Sequence, residues 1–218
     1  MNTRTRRTVG LLAVAAVLPL TLSACSGSDS DKSDSKDKAS ASASAGNGMG
    51  GSSDSSASKM DQPFGSACSS VPKNGAGSFD GMATDPVATA ASNNPALSTL
   101  VAAVKKAGLV DTLNNAQNIT VFAPTNDAFN KIPKATLDKV LGDKAQLTKI
   151  LTYHVVGQKL VPKDLEKGSF DTLEKSKVMT SGSGESYTVN GSSKVVCGNV
   201  KTANANVYIV DTVLMPKS

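Results

Sequence analysis

The chain contains no tryptophan, a single histidine and three cysteines, and only 4% of its 218 residues are aromatic. One histidine, His154, with so few thiols cannot supply the four-ligand set of a structural zinc site. There is no phosphate-binding glycine loop, CxxC or HExxH, which leaves the common nucleotide, redox and metalloprotease signatures unmatched. A Ser–His–Asp group could be assembled from His154, Asp127 or Asp211 and one of many serines. However, no Gly-x-Ser-x-Gly stands between an apolar strand and a helix to present a nucleophile. We therefore expect no enzyme, with no catalytic residue, no cofactor and no metal. No dense Lys/Arg cluster is interleaved with aromatics, which argues against nucleic acid as a partner.

What is present begins at the N-terminus. Arg4, Arg6 and Arg7 precede an apolar run over 9–18 that is too short for an ordinary membrane span, and small residues lead on to Leu22-Ser23-Ala24-Cys25. This reads as a signal peptide over 1–24 whose cleavage leaves Cys25 as a lipid-modified N-terminal residue. Arg6-Arg7 matches a twin-arginine signal only loosely and does not select an export route. From 26 to about 59 the sequence is nearly all Ser, Gly, Ala, Asp and Lys, with Met49 as its one large apolar side chain, and no core can be built from it. Residues 25–60 are thus expected to form a lipid-anchored, disordered tether. About 35 such residues have an r.m.s. reach of roughly 30–35 Å.

The remaining 61–218 can hold one hydrophobic core but hardly two. With the three arginines of the signal removed, 20 basic residues face 18 acidic ones, a balance of +2, so the basic pI carries little meaning for the mature protein.

Within this domain the run TVFAPTNDAF over 120–129 joins an apolar strand to a helix start, because Thr125, Asn126 and Asp127 can each accept a bond from free helix amides. Together with Asp85-Pro86-Val87, AASNNP, Tyr153-His154, Val196-Cys197-Gly198 and the VYIVDTVLMP run ending at Pro216, it resembles the fasciclin domain family (beta-Ig-H3/fasciclin). The similarity spans about 65–216 and is greatest to the bacterial secreted or lipid-anchored single-domain branch, the major secreted immunogenic antigens. It implies an α+β fold, a single-domain wedge of β-strands with helices packed alongside. It also implies an adhesion or interaction role.

The odd cysteine count is resolved if Cys25 carries lipid, which leaves Cys68 and Cys197. The resemblance supports a disulfide between them, as an exported protein permits.

A coarse reading places helices early. Asp85-Pro86 and Asn94-Pro95 are start signals, the second ahead of Leu97, Leu100, Val101 and Val104 at helical spacing with Gly108 as the stop. A short turn follows over 109–113, then a strand over 119–123 and helices over 134–141 and 144–151. Later strands are expected over 154–156, 169–173, 177–180, 187–190, 194–197, 200–203 and 207–213, with a hairpin at Asn190-Gly191. Helices first and strands last suggest α+β rather than alternating βαβ units. Val207, Ile209 and Val213 should face the core, and the strand at 119–123 should lie near the last one.

Candidate interaction residues follow from the resemblance: Tyr153, His154, Val155 and Val156 match the Tyr-His segment implicated in integrin-dependent adhesion in animal relatives. The plain structural reading of His154 is a buried ring bonded to nearby backbone. Asn126 and Asp127 are read as caps or ligand contacts, and Asp211 as a brace for the terminal strand or part of an interaction surface. The expected function is a lipoprotein on the extracellular face of the cell membrane, with a partly released form also expected. It would display its domain to an unidentified extracellular protein, matrix or cell-surface ligand. The alternative is a small-molecule or lipid-binding carrier or sensor, whose pocket is not legible in sequence.

Overall fold

The computed structural model describes residues 62–216. The signal peptide, Cys25 and the tether lie outside the described residues.

The helical half comes first. A short 3-10 turn over Ser66–Ser70 precedes α1 (Phe79–Thr84), α2 (Val87–Ser92), a second 3-10 turn (Pro95–Leu97), α3 (Ser98–Ala107) and α4 (Val110–Asn115). Strand β1 (Ile119–Pro124) interrupts the helices, and α5 (Asn126–Asn130), α6 (Lys134–Gly142) and α7 (Lys144–Tyr153) follow. The chain then becomes extended: β2 (Val155–Val156), β3 (Lys167–Asp171), β4 (Lys177–Ser183), β5 (Ser186–Val189), β6 (Ser193–Lys201) and β7 (Ala205–Val210).

Local chemistry explains most boundaries. Ser78 caps α1 through its Oγ, which accepts from the Gly81 amide at 3.2 Å. Gly108 ends α3 in the left-handed conformation, with φ of 75°. Asp143 opens α7, its carboxylate accepting from the amides of Ala145 and Gln146 at 2.9 and 3.1 Å. In the β5–β6 hairpin Asn190 and Gly191 both have positive φ, 52° and 68°, as a turn matched to the strand twist requires.

The strands form one seven-stranded sheet in the order β2-β1-β7-β6-β5-β4-β3. Every neighbouring pair is antiparallel except β1 and β7, which run parallel from Ile119 opposite Ala205 to Pro124 opposite Val210. Both of these strands are buried along their whole length. On β1, Ile119, Val121 and Ala123 join the larger cluster with the helices, whereas Phe122 packs in a second cluster. On β7, Ala205, Val207 and Ile209 go with the first, and Tyr208 and Val210 with the second. That second cluster also takes in Val178, Tyr187 and Val189 from β4 and β5, so the sheet curls until its two ends share a core. Register shifts in β6 between Val195, Cys197 and Val200 accompany the curl. They send Val195 to the second cluster and Cys197 to the first, although the two residues have the same parity.

Several expectations change. The strands foreseen at 194–197 and 200–203 are one strand, β6, since its irregularities bend it without breaking the ladder. Asp85 does not open α2. It ends α1, and the amide of Val87 is instead accepted by the side chain of Asn204 at 2.8 Å. Helix α1 was not foreseen, and β3 lies two residues earlier than read. Val207, Ile209 and Val213 are buried as expected, but β7 has no solvent face against which to alternate.

The Cys68–Cys197 disulfide is present, with Cα atoms 4.9 Å apart, and joins residues 129 positions apart. Beside it Phe64 and Gly198 exchange both backbone hydrogen bonds, at 3.1 and 2.7 Å. A Cβ on Gly198 would lie 2.4 Å from the Phe64 ring, so glycine is what admits this close approach. The described residues hold the whole sheet, both hydrophobic clusters and the disulfide, and thus make up a self-contained folding unit. Replacing both cysteines by serine should lower the stability of the 62–218 fragment by about 2–5 kcal/mol in urea unfolding. A loss below about 1 kcal/mol would show that packing at Phe64 and Gly198 does the fastening unaided.

Candidate functional site

The Tyr-His segment closes α7 and passes directly into β2, and its chemistry is directed inward. Tyr153, His154, Val155 and Val156 are all buried. The Tyr153 hydroxyl donates to the Lys177 carbonyl at 3.0 Å and accepts from the Asn190 side-chain amide at 2.8 Å. His154 is 2% exposed. Its Nε2 accepts from the Leu214 amide at 2.9 Å, so Nδ1 must carry the proton, which it donates to the Ile150 carbonyl at 2.8 Å. The backbone carbonyl of the same residue accepts from the Phe122 amide at 2.9 Å. One residue therefore binds α7, β1 and the C-terminal segment together.

This arrangement holds the ring neutral. Burial lowers its pKa from 6.5 to about 4, against a smaller opposing effect of the bond to Ile150. A general base poised near neutral pH would need a reachable substrate and a free nitrogen, and both ring nitrogens are already engaged. The four residues named as interaction candidates are thus buried, with Tyr153 alone among them lining an open surface groove, because the end of α7 docks on β1 to close the core.

The remaining candidates separate. Asn126 is the first residue of α5, but the cap of that helix is Thr125, whose Oγ1 accepts from the Ala128 amide at 3.2 Å. Asn126 acts on another helix. Its Oδ1 accepts from the Thr99 amide at 2.9 Å in the first turn of α3, which has no side-chain cap of its own, and its Nδ2 donates to the Pro95 carbonyl at 3.0 Å. Asp127 lies exposed in the first turn of α5, where a negative charge suits the helix dipole.

Asp211 braces the chain after β7. Its Oδ1 accepts from the Lys194 amide at 2.8 Å and the Thr212 hydroxyl at 3.0 Å, and its Oδ2 pairs with Lys131 Nζ at 3.1 Å. Burial raises its pKa, yet the Lys194 amide, Lys131 and Thr212 together outweigh burial and hold the carboxyl below its ordinary value.

Two larger cavities lie around these residues, beside a third of about 10 Å³ that His154 also lines. One is an open groove of about 610 Å³ on the exposed face of β3–β5, lined by Ser169, Lys177, Met179, Ser181 and Asn190, with Tyr153 reaching its floor. Met179 is 63% exposed there, and Lys177 pairs across the strands with Asp171 at 3.4 Å. The other is an apolar cavity of about 50 Å³ between the helices and the sheet. Among the described residues no group of three or more His, Cys, Asp or Glu side chains could hold a metal ion. The groove was missed by the sequence reading, since Ser169 of β3, Met179 of β4 and Asn190 of the β5–β6 turn come from separate segments and form no local motif.

A family model for the fasciclin domain matches residues 95–216, and the chain belongs to that family. It is 50% identical over 147 residues to the immunogenic protein MPB70 of Mycobacterium bovis, covering 65% of this chain and 75% of the relative. It is equally similar to the cell surface glycolipoprotein MPB83 of the same organism, of which it covers 66%. Protein sll1483 of Synechocystis is 38% identical over 128 residues, with 58% of this chain and 71% of the relative covered. The FAS1 domain pair of the insect cell adhesion molecule fasciclin I shares the fold, with a TM-score of 0.51 at 21% identity over 62% of this chain and 52% of that one.

The folded pKa of His154 lies below the unfolded value, so the folded state takes up its proton only at lower pH than the unfolded chain does. Stability from this residue is fully present above pH 6.5 and is lost as pH falls toward 4, amounting to about 3 kcal/mol over that window. Urea unfolding at pH 7 and pH 4.5 should show this decline in the native fragment and a flatter profile in His154→Gln. Equal slopes would mean the ring is not kept neutral.

Asn126→Ala should cost about 1–3 kcal/mol, since it frees both an amide and a carbonyl of a distant turn. Asp127→Ala should stay within about 0.5 kcal/mol. Denaturant midpoints of the two variants test the assignment, and the reverse order would refute it.

Proposed function

We propose that the chain is a surface lipoprotein whose fasciclin domain serves as a non-catalytic recognition module, held to the membrane through Cys25 and extended from it by residues 25–60. The observation that carries this reading is the contrast between the two faces of the Tyr-His region. Inward, His154 and Tyr153 are committed to backbone partners. Outward, β3, β4 and the turn after β5 offer a groove of about 610 Å³, of a size that binding sites commonly have, with Met179 exposed in its lining among hydroxyl, amide and ammonium groups. An apolar side chain ringed by polar ones suits contact with an extracellular protein or a cell-surface ligand.

Surface location is supported by the name of MPB83, a cell surface glycolipoprotein, and by the N-terminal sequence around Cys25. A role in adhesion is supported by the shared fold of the insect cell adhesion molecule. The rigid, disulfide-closed domain would present the groove without needing to order itself on binding, which favours affinity.

The test is binding of the 62–218 fragment to a panel of matrix proteins, cells and envelope polysaccharides, with Met179→Glu as the surface variant. We expect saturable binding to at least one member and a loss of tenfold or more in the variant at unchanged melting temperature. Binding that Met179→Glu leaves intact would move recognition to another face, and no binding across the panel would refute the recognition role toward these partners.

A further inference from the structure

The apolar cavity between the helices and the sheet is separate from the outer groove, and its wall chemistry is unusually uniform. Val87 of α2, Leu100 and Val104 of α3, Val121 of β1 and Val207 and Ile209 of β7 are among its apolar lining. Three polar side chains also line it, Ser92, His154 and Thr202, and each is already satisfied within the protein. Ser92 donates to the Ala88 carbonyl at 2.8 Å, and Thr202 to the Ala205 carbonyl at 3.1 Å. His154 spends both ring nitrogens on Ile150 and Leu214. A buried water needs two to four polar partners, and this wall offers only the acceptor lone pairs of Ser92 Oγ at its solvent edge. Water therefore does not fill the space stably. An empty apolar cavity in a close-packed core costs stability that an apolar guest would return.

Size and access narrow the guest. One water-sized sphere needs roughly 10–15 Å³, so about 50 Å³ admits about four methylene-sized groups and no headgroup. The lining residues that reach solvent are Ala91, Ser92, Val101 and Val110, where α2, α3 and α4 come together. A guest entering there can leave its polar end outside. We propose that this cavity is a binding site for the end of a lipid's aliphatic chain, inserted between α2, α3 and α4. The site gives the domain a hydrocarbon-binding capacity independent of recognition at the β3–β5 face.

Two probes distinguish a lipid tail from a free hydrocarbon: n-pentane, and octanoate, which carries a similar chain on a charged head. Methyl-resolved NMR of the 62–218 fragment is the readout. Octanoate should produce saturable shifts at Ala90, Val101 and Val207, sparing Met179, and should raise the melting temperature. Ala90→Leu, which fills the cavity from a residue 1% exposed, should weaken octanoate at least tenfold. If that variant does not fold, Val101→Phe at the opening serves the same purpose, and the native shift map still locates the guest. Shifts with n-pentane alone would overturn the lipid-tail assignment. Absence of shifts with both, shifts away from the cavity, or octanoate binding unchanged in a folded filled variant would overturn the site itself.

Discussion

The parallel pairing of β1 with β7 is the constraint on which the rest of the fold depends. It brings Val121 beside Val207, two positions separated by most of the domain, and so must be formed at a large loop-closure cost. A parallel pair covered on both faces has no solvent face, and both strands, second and third in the sheet, are accordingly buried throughout. This explains why TVFAP and VYIV are apolar runs rather than alternating ones. One face of the pair needs helices to cover it, which α2, α3 and α7 supply, and the other needs a second layer. The curl of β4 and β5 provides that layer, with Phe122 and Tyr208 in contact at a ring separation of 5.9 Å.

Long-range asparagines hold the helical layer in register with the strands. Asn204, in the turn before β7, accepts from the Val87 amide and donates to the carbonyls of Leu113, Asn114 and Ala116 at 2.8, 3.2 and 2.7 Å. Asn126, just after β1, does the same for the start of α3. The two strands of the parallel pair thus each carry at one end a side chain that terminates or starts helices. His154 completes the set from α7, bonding to β1 through its carbonyl and to Leu214 through its ring. The blocks of sequence that mark the family are those where strand and helix are fastened, and their polar members are spent on that work.

How far the sequence revealed this varies with the range of the interaction. Helix spacing at Leu97, Leu100 and Val104, the stop at Gly108 and the turn at Asn190-Gly191 are local matters, and the structure has them where the sequence places them. The split of β6 into two strands was misread because its bulged residues break the two-residue period while the ladder continues. Asn126 and Asp85 were assigned to the helices next to them in sequence. Asn204 took the Val87 amide in place of Asp85, and the Asn126 side chain went to the distant Thr99 amide while Thr125 capped α5, a competition that no local rule can rank. The groove on β3–β5 was invisible for the same reason: its lining is assembled by pairing Ser169 with Met179, and Met179 with the turn at Asn190.

Burial of the Tyr-His segment changes what a motif in this domain can mean. A substitution at Tyr153 or His154 removes bonds to the Lys177 carbonyl, Asn190, Ile150 or Leu214 and leaves buried polar groups without partners, which is costly irrespective of any ligand. Tyr153 also supports the turn at Asn190, whose side chain accepts from the Met179 amide at 3.0 Å. Loss of the tyrosine hydroxyl would therefore reach the exposed groove through that turn, a short chain of direct contacts. A binding defect after mutation of His154, Val155 or Val156 is then compatible with a partner that never touches them. The groove proposed for recognition lies on β3, β4 and the turn after β5, segments that the sequence patterns least, while the strongly patterned segments fix the frame that holds them.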